Sequence, residues 1–381
     1  MPEGRTENIK TVGLGLIGFG GFGQFIAEVI SAIPQVCLRA VCDIDAARRK
    51  LAAERYQVRT FENPLNLIEL PEVEAVVIST PPNTQAPLGI AAAQKGKAVF
   101  CEKPLATIFE DAARWIQTAQ ENSTALIVDF IQRYNPLNEA ARDLVKERVL
   151  GRLVSIEITN YASDKFLKPG HWFWDQQISG GIWVEHGVHF LDLAAWWLYS
   201  PVAGVMALAS ARSIGEEDRV WAIVRHQNSS TVTFCHTFTQ PAAFEQTSIR
   251  QVFSRGYVDL QGWIPTHLHL RAMVSQSELD YIEGRLGCNP AKLTTLKEKD
   301  CCGWAGGEEY EVKYRVEYEV ELSEGKKAVY RQCVVRAMLD LMELARDPCF
   351  SPRVTAKDGL LALQTALAAG RAPEEGRRID V

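Results

Sequence analysis

The stretch SGGIWVEHGVHFLDLAAWW, Ser179 to Trp197, reads as a buried apolar helix interrupted by four titratable groups, Glu185, His186, His189 and Asp192. Positions 185, 189 and 192 are spaced i, i+4, i+7. At about 100° per residue they share one helix face, with His186 off it. A histidine there is a candidate general acid/base near neutral pH, and a carboxylate one turn on can orient it or balance its charge. The same residues allow a metal reading, since HxxH brings two imidazoles near one another on a helix and Glu185 adds a carboxylate. They also allow a plain core histidine bonded to a backbone carbonyl. Residue types alone leave the three open.

A second set of residues has a phosphate-binding pattern. The apolar run Thr11 to Ile17 is followed at once by GFGGFG and then by QFIAEVISAI, whose apolar spacing is helical. Gly18, Gly20 and Gly23 give G-x-G-x-x-G, with Phe19 and Phe22 between them. The first glycine permits a tight turn, the second lets backbone approach a pyrophosphate, and the third lets helix and strand pack closely. The helix N-terminus then offers free N–H groups to the phosphates. The next strand candidate, VCLRAVCD, ends in Asp43, with Ile44 after it. A carboxylate there can accept from both hydroxyls of an adenosine ribose and repels a 2′-phosphate, so NAD is favoured. Arg48 and Arg49 nearby keep NADP possible.

Elements able to position these groups follow from the alternation of patterns. DAARRKLAAERY and TQAPLGIAAAQKG read as helices; EAVVIST, KAVFCEKP and TALIVDF read as strands. That alternation predicts a doubly wound parallel sheet, with ligands beyond the carboxyl ends of its strands. Ser79, Thr80, Pro81 and Asn83 of STPPN, and Glu102 and Lys103 of EKP, lie at such ends. After Gly151 the chain turns β-rich, with runs such as RLVSIEITNYA, VAGVMALASAR, RVWAIVRHQ and STVTFCHTFTQ. Upstream of the histidine helix, GHWFWDQQISGG is dense in aromatics; Trp172 and Trp174 are candidates to stack on a ring-shaped substrate. Trp196 and Trp197 read as core.

The chain has 381 residues, 47% of them hydrophobic, enough for two cores. A net charge of −6 without a long basic run argues against nucleic acid as a partner. The polar opening MPEGRTENIK and the lack of an apolar stretch of about 20 residues argue against export and membrane insertion. The expectation is a soluble cytoplasmic protein. Nine scattered cysteines suggest free thiols rather than a disulfide framework, and the loose group Cys288, Cys301 and Cys302 is a poor metal site.

GFGGFG, Cys42–Asp43, STPPN, EKP, FIQRYNP (Phe130 to Pro136) and the histidine stretch occur in one order that resembles the Gfo/Idh/MocA oxidoreductases, the glucose–fructose oxidoreductase and inositol dehydrogenase family. The resemblance spans nearly the whole chain, including a last helix TAKDGLLALQTALAAG; residues ~271–326 match no motif. It implies an α/β protein: an N-terminal Rossmann domain with a doubly wound parallel sheet at residues 1–135, and at 136–381 an α/β domain with an open, mostly antiparallel sheet for substrate binding and oligomerisation. The last helix is a candidate to pack back on the first domain. An open sheet face must be covered, and in similar proteins another subunit covers it, which implies a homodimer or homotetramer.

By the same resemblance Lys103 is the active-site lysine, stabilising a developing alkoxide and joining a proton relay. His189 falls at the catalytic histidine position, taking a proton from a sugar-type hydroxyl as hydride leaves for the nicotinamide. Asp192 is then its companion and a candidate substrate contact, and no metal is expected. The implied activity is that of an NAD(P)-dependent dehydrogenase or reductase acting on a carbohydrate-like or polyol CH–OH group. Alternatives are a lyase or glycosidase that uses transient oxidation with bound NAD, and a catalytically inactive NAD-binding regulator. Two departures stand out. Glu185 replaces the family's usual Asp, and a displacement of about 1 Å can cost 10²-fold in rate. It is kept as a catalytic and substrate-binding candidate. Gln85 stands near where many relatives have His; it hydrogen-bonds but does not titrate.

Overall fold

A computed structural model describes residues 11–381; the polar opening stretch lies outside the described residues. The chain forms two units, residues 11–129 with Val334–Leu360, and Phe130–Cys333 with Leu361–Val381.

In the first unit, strands and helices alternate: β1 (Val12–Ile17), α1 (Gly21–Ile30), β2 (Val36–Cys42), α2 (Ala46–Tyr56), β3 (Arg59–Phe61), α3 (Pro64–Ile68), β4 (Ala75–Ile78), α4 (Pro82–Gln94), β5 (Ala98–Cys101), α5 (Phe109–Glu121) and β6 (Leu126–Val128). The strands form one parallel sheet in the order β3-β2-β1-β4-β5-β6. A parallel sheet needs crossover helices, and those helices cover its faces. Every residue of β4, β5 and β6 is accordingly buried. The strand order reverses beside β1, and the carboxyl ends of β1 and β4 flank the crevice where such sheets bind ligands. Local chemistry sets the helix starts. Asp45 caps α2 by accepting from the Ala47 N–H at 2.7 Å. Pro82 begins α4, where a missing N–H costs nothing.

The second unit is built on a ten-stranded sheet. Its strands are β7 (Leu153–Ser163), β8 (Val202–Ser213), β9 (Glu216–His226), β10 (Thr231–Gln240), β11 (Gln246–Phe253), β12 (Gly256–Gln261), β13 (His267–Val274), β14 (Lys292–Thr295), β17 (Tyr314–Glu321) and β18 (Ile379–Asp380); β15 (Cys302–Ala305) and β16 (Glu308–Glu311) form a separate hairpin. The order is β14-β17-β13-β12-β11-β7-β10-β9-β8-β18, and only β7 and β10 pair in parallel. Burial alternates residue by residue along β9, β11 and β13, as a sheet with one covered face requires. The covered face holds Val220, Ala222, Phe234, Ile249, Leu260, Leu268 and Leu270. The motif-poor region 271–326 supplies one edge of this sheet, and β14 there is exposed along its whole length.

The helices of this part are α6 (Pro136–Lys146), the single turn α7 (Gln176–Ser179), α8 (Val188–Leu198), α9 (Gln276–Leu286), α10 (Gly325–Arg346) and α11 (Ala356–Glu375), the last two crossing from one unit's residues to the other's. The indole N–H of Trp197, fully buried on α8, donates to Asn138 O on α6 at 3.0 Å. Trp196 is also buried, so both tryptophans are core as their sequence position suggests. All nine cysteines are free thiols. Among the described residues no helix is long and apolar enough to cross a membrane.

In the first unit α4 meets α5 closely because Gly89 faces the indole of Trp115, which is fully buried. A Cβ at position 89 would fall inside that ring. Gly89→Ala is expected to destabilise the protein by about 1–3 kcal/mol, the usual cost of overpacking, read from the urea midpoint of unfolding. An unchanged midpoint would show that the two helices separate freely.

Candidate active site

The first unit places the candidate phosphate-binding residues between the carboxyl end of β1 and the start of α1. Gly18 has φ +94°, a left-handed conformation, and a Cβ there would overlap the Ser79 carbonyl. A Cβ at Gly23 would overlap the Gly18 carbonyl, so the turn and the helix start are in contact. Beside Gly20 the space is open, with Arg48 Nη1 the nearest atom to an added Cβ at 3.8 Å. Gly20 is the N-cap of α1 and has no side chain to satisfy the first N–H groups. These features fit a pyrophosphate: a bare helix N-terminus, backbone accessible, and glycine wherever a side chain would intrude.

Asp43 follows β2 and is mostly buried. Its Oδ2 accepts from the Phe19 N–H at 2.7 Å and its Oδ1 from the Asp45 N–H at 2.9 Å. The carboxylate thus ties the glycine turn to the end of β2. Ile44 beside it is 85% exposed, available to a flat ring rather than to the core. Of the two nearby arginines, Arg49 is held by the Asp43 and Ile44 carbonyls at 2.8 and 2.9 Å and by Glu62 at 3.1 Å. Arg48 is half-exposed, 3.6 Å from Asp43. Phe22 packs on Phe25 of α1, ring centroids 5.9 Å apart.

Ser79, Thr80 and Pro81 connect β4 to α4, with Asn83 in the first turn of that helix. Gln85 is buried; its Nε2 donates to Thr80 O at 2.9 Å and its Oε1 accepts from Cys101 Sγ at 3.6 Å. It braces the STPPN turn, consistent with its lack of a titrating group. Glu102 and Lys103 follow β5, and the Lys103–Pro104 bond is cis. The Lys103 N–H donates to Glu102 Oε2 at 3.1 Å. Beside them lies Asp129, which the sequence pattern TALIVDF places in a strand. It is 2% exposed, and burial, then the Glu102 charge, pushes its carboxyl well above the usual carboxylate range.

The second unit places the histidine stretch. Gly180 and Gly181 both have positive φ, 79° and 85°; Gly180 ends α7 and the pair turns the chain into the next helix. That helix opens with a π turn over Trp183–Gly187 and continues as α8. A π turn carries an extra residue per turn, so the even 100° spacing fails here. His186, expected off the face that carries His189, lies beside it as the HxxH spacing allows: the two rings are 6.3 Å apart. His186 also meets Phe238 at 5.1 Å and His236 at 5.5 Å. His236, on β10, is wholly buried, and burial drives it well below the ordinary histidine value, so it is a neutral packing residue. His189 is 4% exposed and packed edge-on against Trp263 at 5.3 Å, with Phe130 at 6.3 Å. Glu185 is half-buried in the π turn.

Asp192 pairs with Arg133, whose Nε and Nη2 donate to the two carboxylate oxygens at 2.8 and 2.6 Å, with both side chains buried. The rest of FIQRYNP holds a loop: Gln132 Nε2 donates to Trp263 O at 2.6 Å and Asn135 Nδ2 to Pro265 O at 2.9 Å. That loop carries the Trp263 indole that packs on His189. The motif carries the family resemblance in the sequence, but nothing in its residue types signals these contacts. Trp174 is buried; its indole N–H donates to Leu167 O at 2.9 Å, Arg212 lies over its ring at 4.8 Å and Phe173 meets it edge-on at 4.9 Å. Its faces are used in packing. Trp172 is half-buried beside His171, ring centroids 5.3 Å apart. On the sheet, His269, Glu317 and Glu319 each bring one ligand atom within 4.8 Å of the others, with Lys292 already 3.0 Å from Glu317.

Residues 12–130 match the NAD-binding Rossmann fold of the GFO/IDH/MocA oxidoreductase family and residues 138–258 its C-terminal domain, together more than half the chain. The chain belongs to the Gfo/Idh/MocA family. Residues 12–130 are the family's NAD-binding Rossmann domain. An inositol 2-dehydrogenase of Rubrobacter xylanophilus is 31% identical over 51% of this chain and 55% of its own length. A myo-inositol 2-dehydrogenase of Thermotoga maritima is 30% identical over 51% of this chain and 57% of its own length. The match thus spans just over half of those two relatives. The crystal structure of a scyllo-inositol dehydrogenase from Lactobacillus casei with bound NAD(H) and scyllo-inositol superposes with a TM-score of 0.74, covering 97% of this chain and 99% of that one at 18% identity. At that identity it establishes the shared fold.

Removing one partner of the Arg133–Asp192 pair leaves a buried charge uncompensated. Arg133→Met is expected to cost about 3–5 kcal/mol in chemical unfolding, while the double change Arg133→Met with Asp192→Leu should recover most of it. Equal losses in the single and double variants would show that the pair does not bind as a unit.

Proposed function

We propose that the chain is an NAD(P)-dependent dehydrogenase or reductase that moves a hydride between a nicotinamide and a carbohydrate-like or polyol CH–OH group, with NAD preferred. The observation that carries this is the combination, in one parallel sheet, of a glycine cradle closed by Asp43 with a lysine at the carboxyl end of β5. Inositol dehydrogenases among the relatives place polyols among the substrate classes to test first.

Gly18, Phe19, Gly20, Phe22 and Gly23 would hold the pyrophosphate, Asp43 and Ile44 the adenosine end, and Ser79, Thr80, Pro81, Asn83, Glu102 and Lys103 the nicotinamide end. The bound nicotinamide supplies the hydride acceptor or donor. Lys103 stabilises charge developing on the substrate oxygen, and His189 takes or returns the hydroxyl proton. His189 is suited to this because Trp263 and Phe130 fix its ring in a pocket that sheds water. Glu185 is the substrate contact in which this chain departs from the family's usual Asp. Trp172, half-buried, is the proposed stacking wall. The geometry favours a different part for Asp192 and Trp174. Through Arg133, Asp192 fixes the helix that carries His189, and Trp174 supports the loop below Trp172.

The open face of the second unit's sheet supports a homodimer or homotetramer. Met206 and Ile223 pair across β8 and β9, as do Leu208 and Trp221, and all four are exposed.

The test is a panel of polyols and sugars with NAD and NADP, following absorbance of the reduced nicotinamide. Turnover with NAD on at least one of them is expected; tight NAD binding with no turnover on any would favour the regulatory reading. Lys103→Ala should lower kcat by about 10²–10⁴-fold, the range of general acid–base contributions, and undiminished turnover would overturn the assignment. Asp43→Ala should weaken NAD more than NADP, by about tenfold to a hundredfold in the ratio of dissociation constants. Loss of the Phe19 anchor affects both nucleotides alike, so equal weakening would remove the ribose role.

A further inference from the structure

Asp129 is a buried acid that the proposed reaction leaves unused. It stands one residue beyond β6, and Glu102 one residue beyond β5; these strands are parallel neighbours with Cys101 opposite Val128. The Asp129 N–H continues the ladder to Cys101 O at 2.8 Å. The two carboxyl groups therefore leave adjacent strand ends side by side. A proton held between two such groups lets one donate to the other. Asp129 is 2% exposed, and its Oδ1 has no hydrogen-bond partner among the described residues. A full negative charge on it would thus be unsolvated on one side and would face the Glu102 carboxylate on the other. The titratable groups that face Asp129 are Glu102 and Lys103 from the turn after β5, and the Cys101 thiol, which burial keeps protonated.

We propose that Asp129 and Glu102 share a single proton beside Lys103, and that release of this proton at higher pH makes the site favour the cationic, oxidised nicotinamide over the neutral, reduced one. The idea rests on the dehydrogenase reading above only in placing the nicotinamide end near Lys103. With the proton shared, the pair carries one negative charge, and the Lys103 ammonium balances it. Without the proton, the trio carries a net charge of −1. That extra charge attracts the ring of NAD and leaves the ring of NADH nearly unaffected. By linkage, nucleotide reduction and proton uptake by the pair then favour one another. The two carboxyl groups titrate as a unit, so Asp129 acts through Glu102 and Lys103 as a positioning residue.

Nucleotide binding tests this without any substrate. Dissociation constants of NAD and NADH are measured across pH by calorimetry for the protein and for Asp129→Asn, which keeps the shape and removes the titration. The ratio of the NADH to the NAD constant is expected to rise about tenfold with pH in the unaltered chain, as one added charge at partly screened distance would produce, and to stay flat in Asp129→Asn. A flat ratio in the unaltered chain overturns the proposal, as does a pH-dependence that survives Asp129→Asn. Should Asp129→Asn not fold, Glu102→Gln takes its place with the same expectation. In addition, the nucleotide-free protein near neutral pH should show a protonated carboxylic-acid band in the infrared, and its absence also overturns the proposal. Failure to turn over any alcohol while the ratio keeps its pH-dependence supports the shared proton and overturns the dehydrogenase reading alone.

Discussion

A guanidinium and a carboxylate taken out of water together fix the histidine helix of the second unit. Arg133 and Asp192 are each nearly free of solvent contact, and either alone would cost several kcal/mol to bury. Paired through two parallel bonds, they lock the turn that follows Phe130 to the middle of α8. The orientation of that helix, and so of His189, is set by a contact that admits little sliding. Neighbouring residues of the same turn extend the effect. Gln132 and Asn135 donate to the carbonyls of Trp263 and Pro265, and Trp263 in turn closes over His189. Three polar residues of one short motif, Gln132, Arg133 and Asn135, thus scaffold a buried imidazole.

The first unit solves a different problem with backbone. Its glycine turn must be close-packed against the strand ends and open toward a ligand at once. Gly18 and Gly23 serve the first need, since added side chains would collide with Ser79 and Gly18 carbonyls. Gly20 serves the second, with open space beside it at a helix N-terminus. Asp43 joins the two by accepting from the Phe19 N–H. A residue expected to read a ribose is thereby also structural, and its carboxylate is in place before any nucleotide arrives. Preorganisation of this kind lowers the entropy lost on binding.

Around the titratable groups, burial separates roles that residue type does not. His236, His186 and His189 are the same side chain within one aromatic cluster, yet His236 is wholly enclosed and held neutral. Asp129 and Glu102 are both acids at neighbouring strand ends, but only Asp129 lies almost wholly out of water.

The alternation of apolar runs and helical spacing, the glycine pattern and Asp43 were legible because each is local: a strand, a turn and a helix start within a few tens of residues. The β-rich second half was legible for the same reason, through its period of two. What the sequence could not express was anything that depends on the register of distant segments. The π turn at Trp183–Gly187 breaks a regular helical count, which no spacing rule foresees. Asp192 meets Arg133, 59 residues away, rather than only its helical neighbours, and Trp263 reaches His189 from another 74 residues along the chain. Trp174, one of three aromatics in a row, turns inward because Leu167 and Arg212 claim it. Asp129 looked like the end of a strand and became half of an acid pair only when β5 and β6 aligned. Residue types and their periods decided the fold and the nucleotide cradle; long-range packing, which sets which charges leave water together, decided the rest of the site.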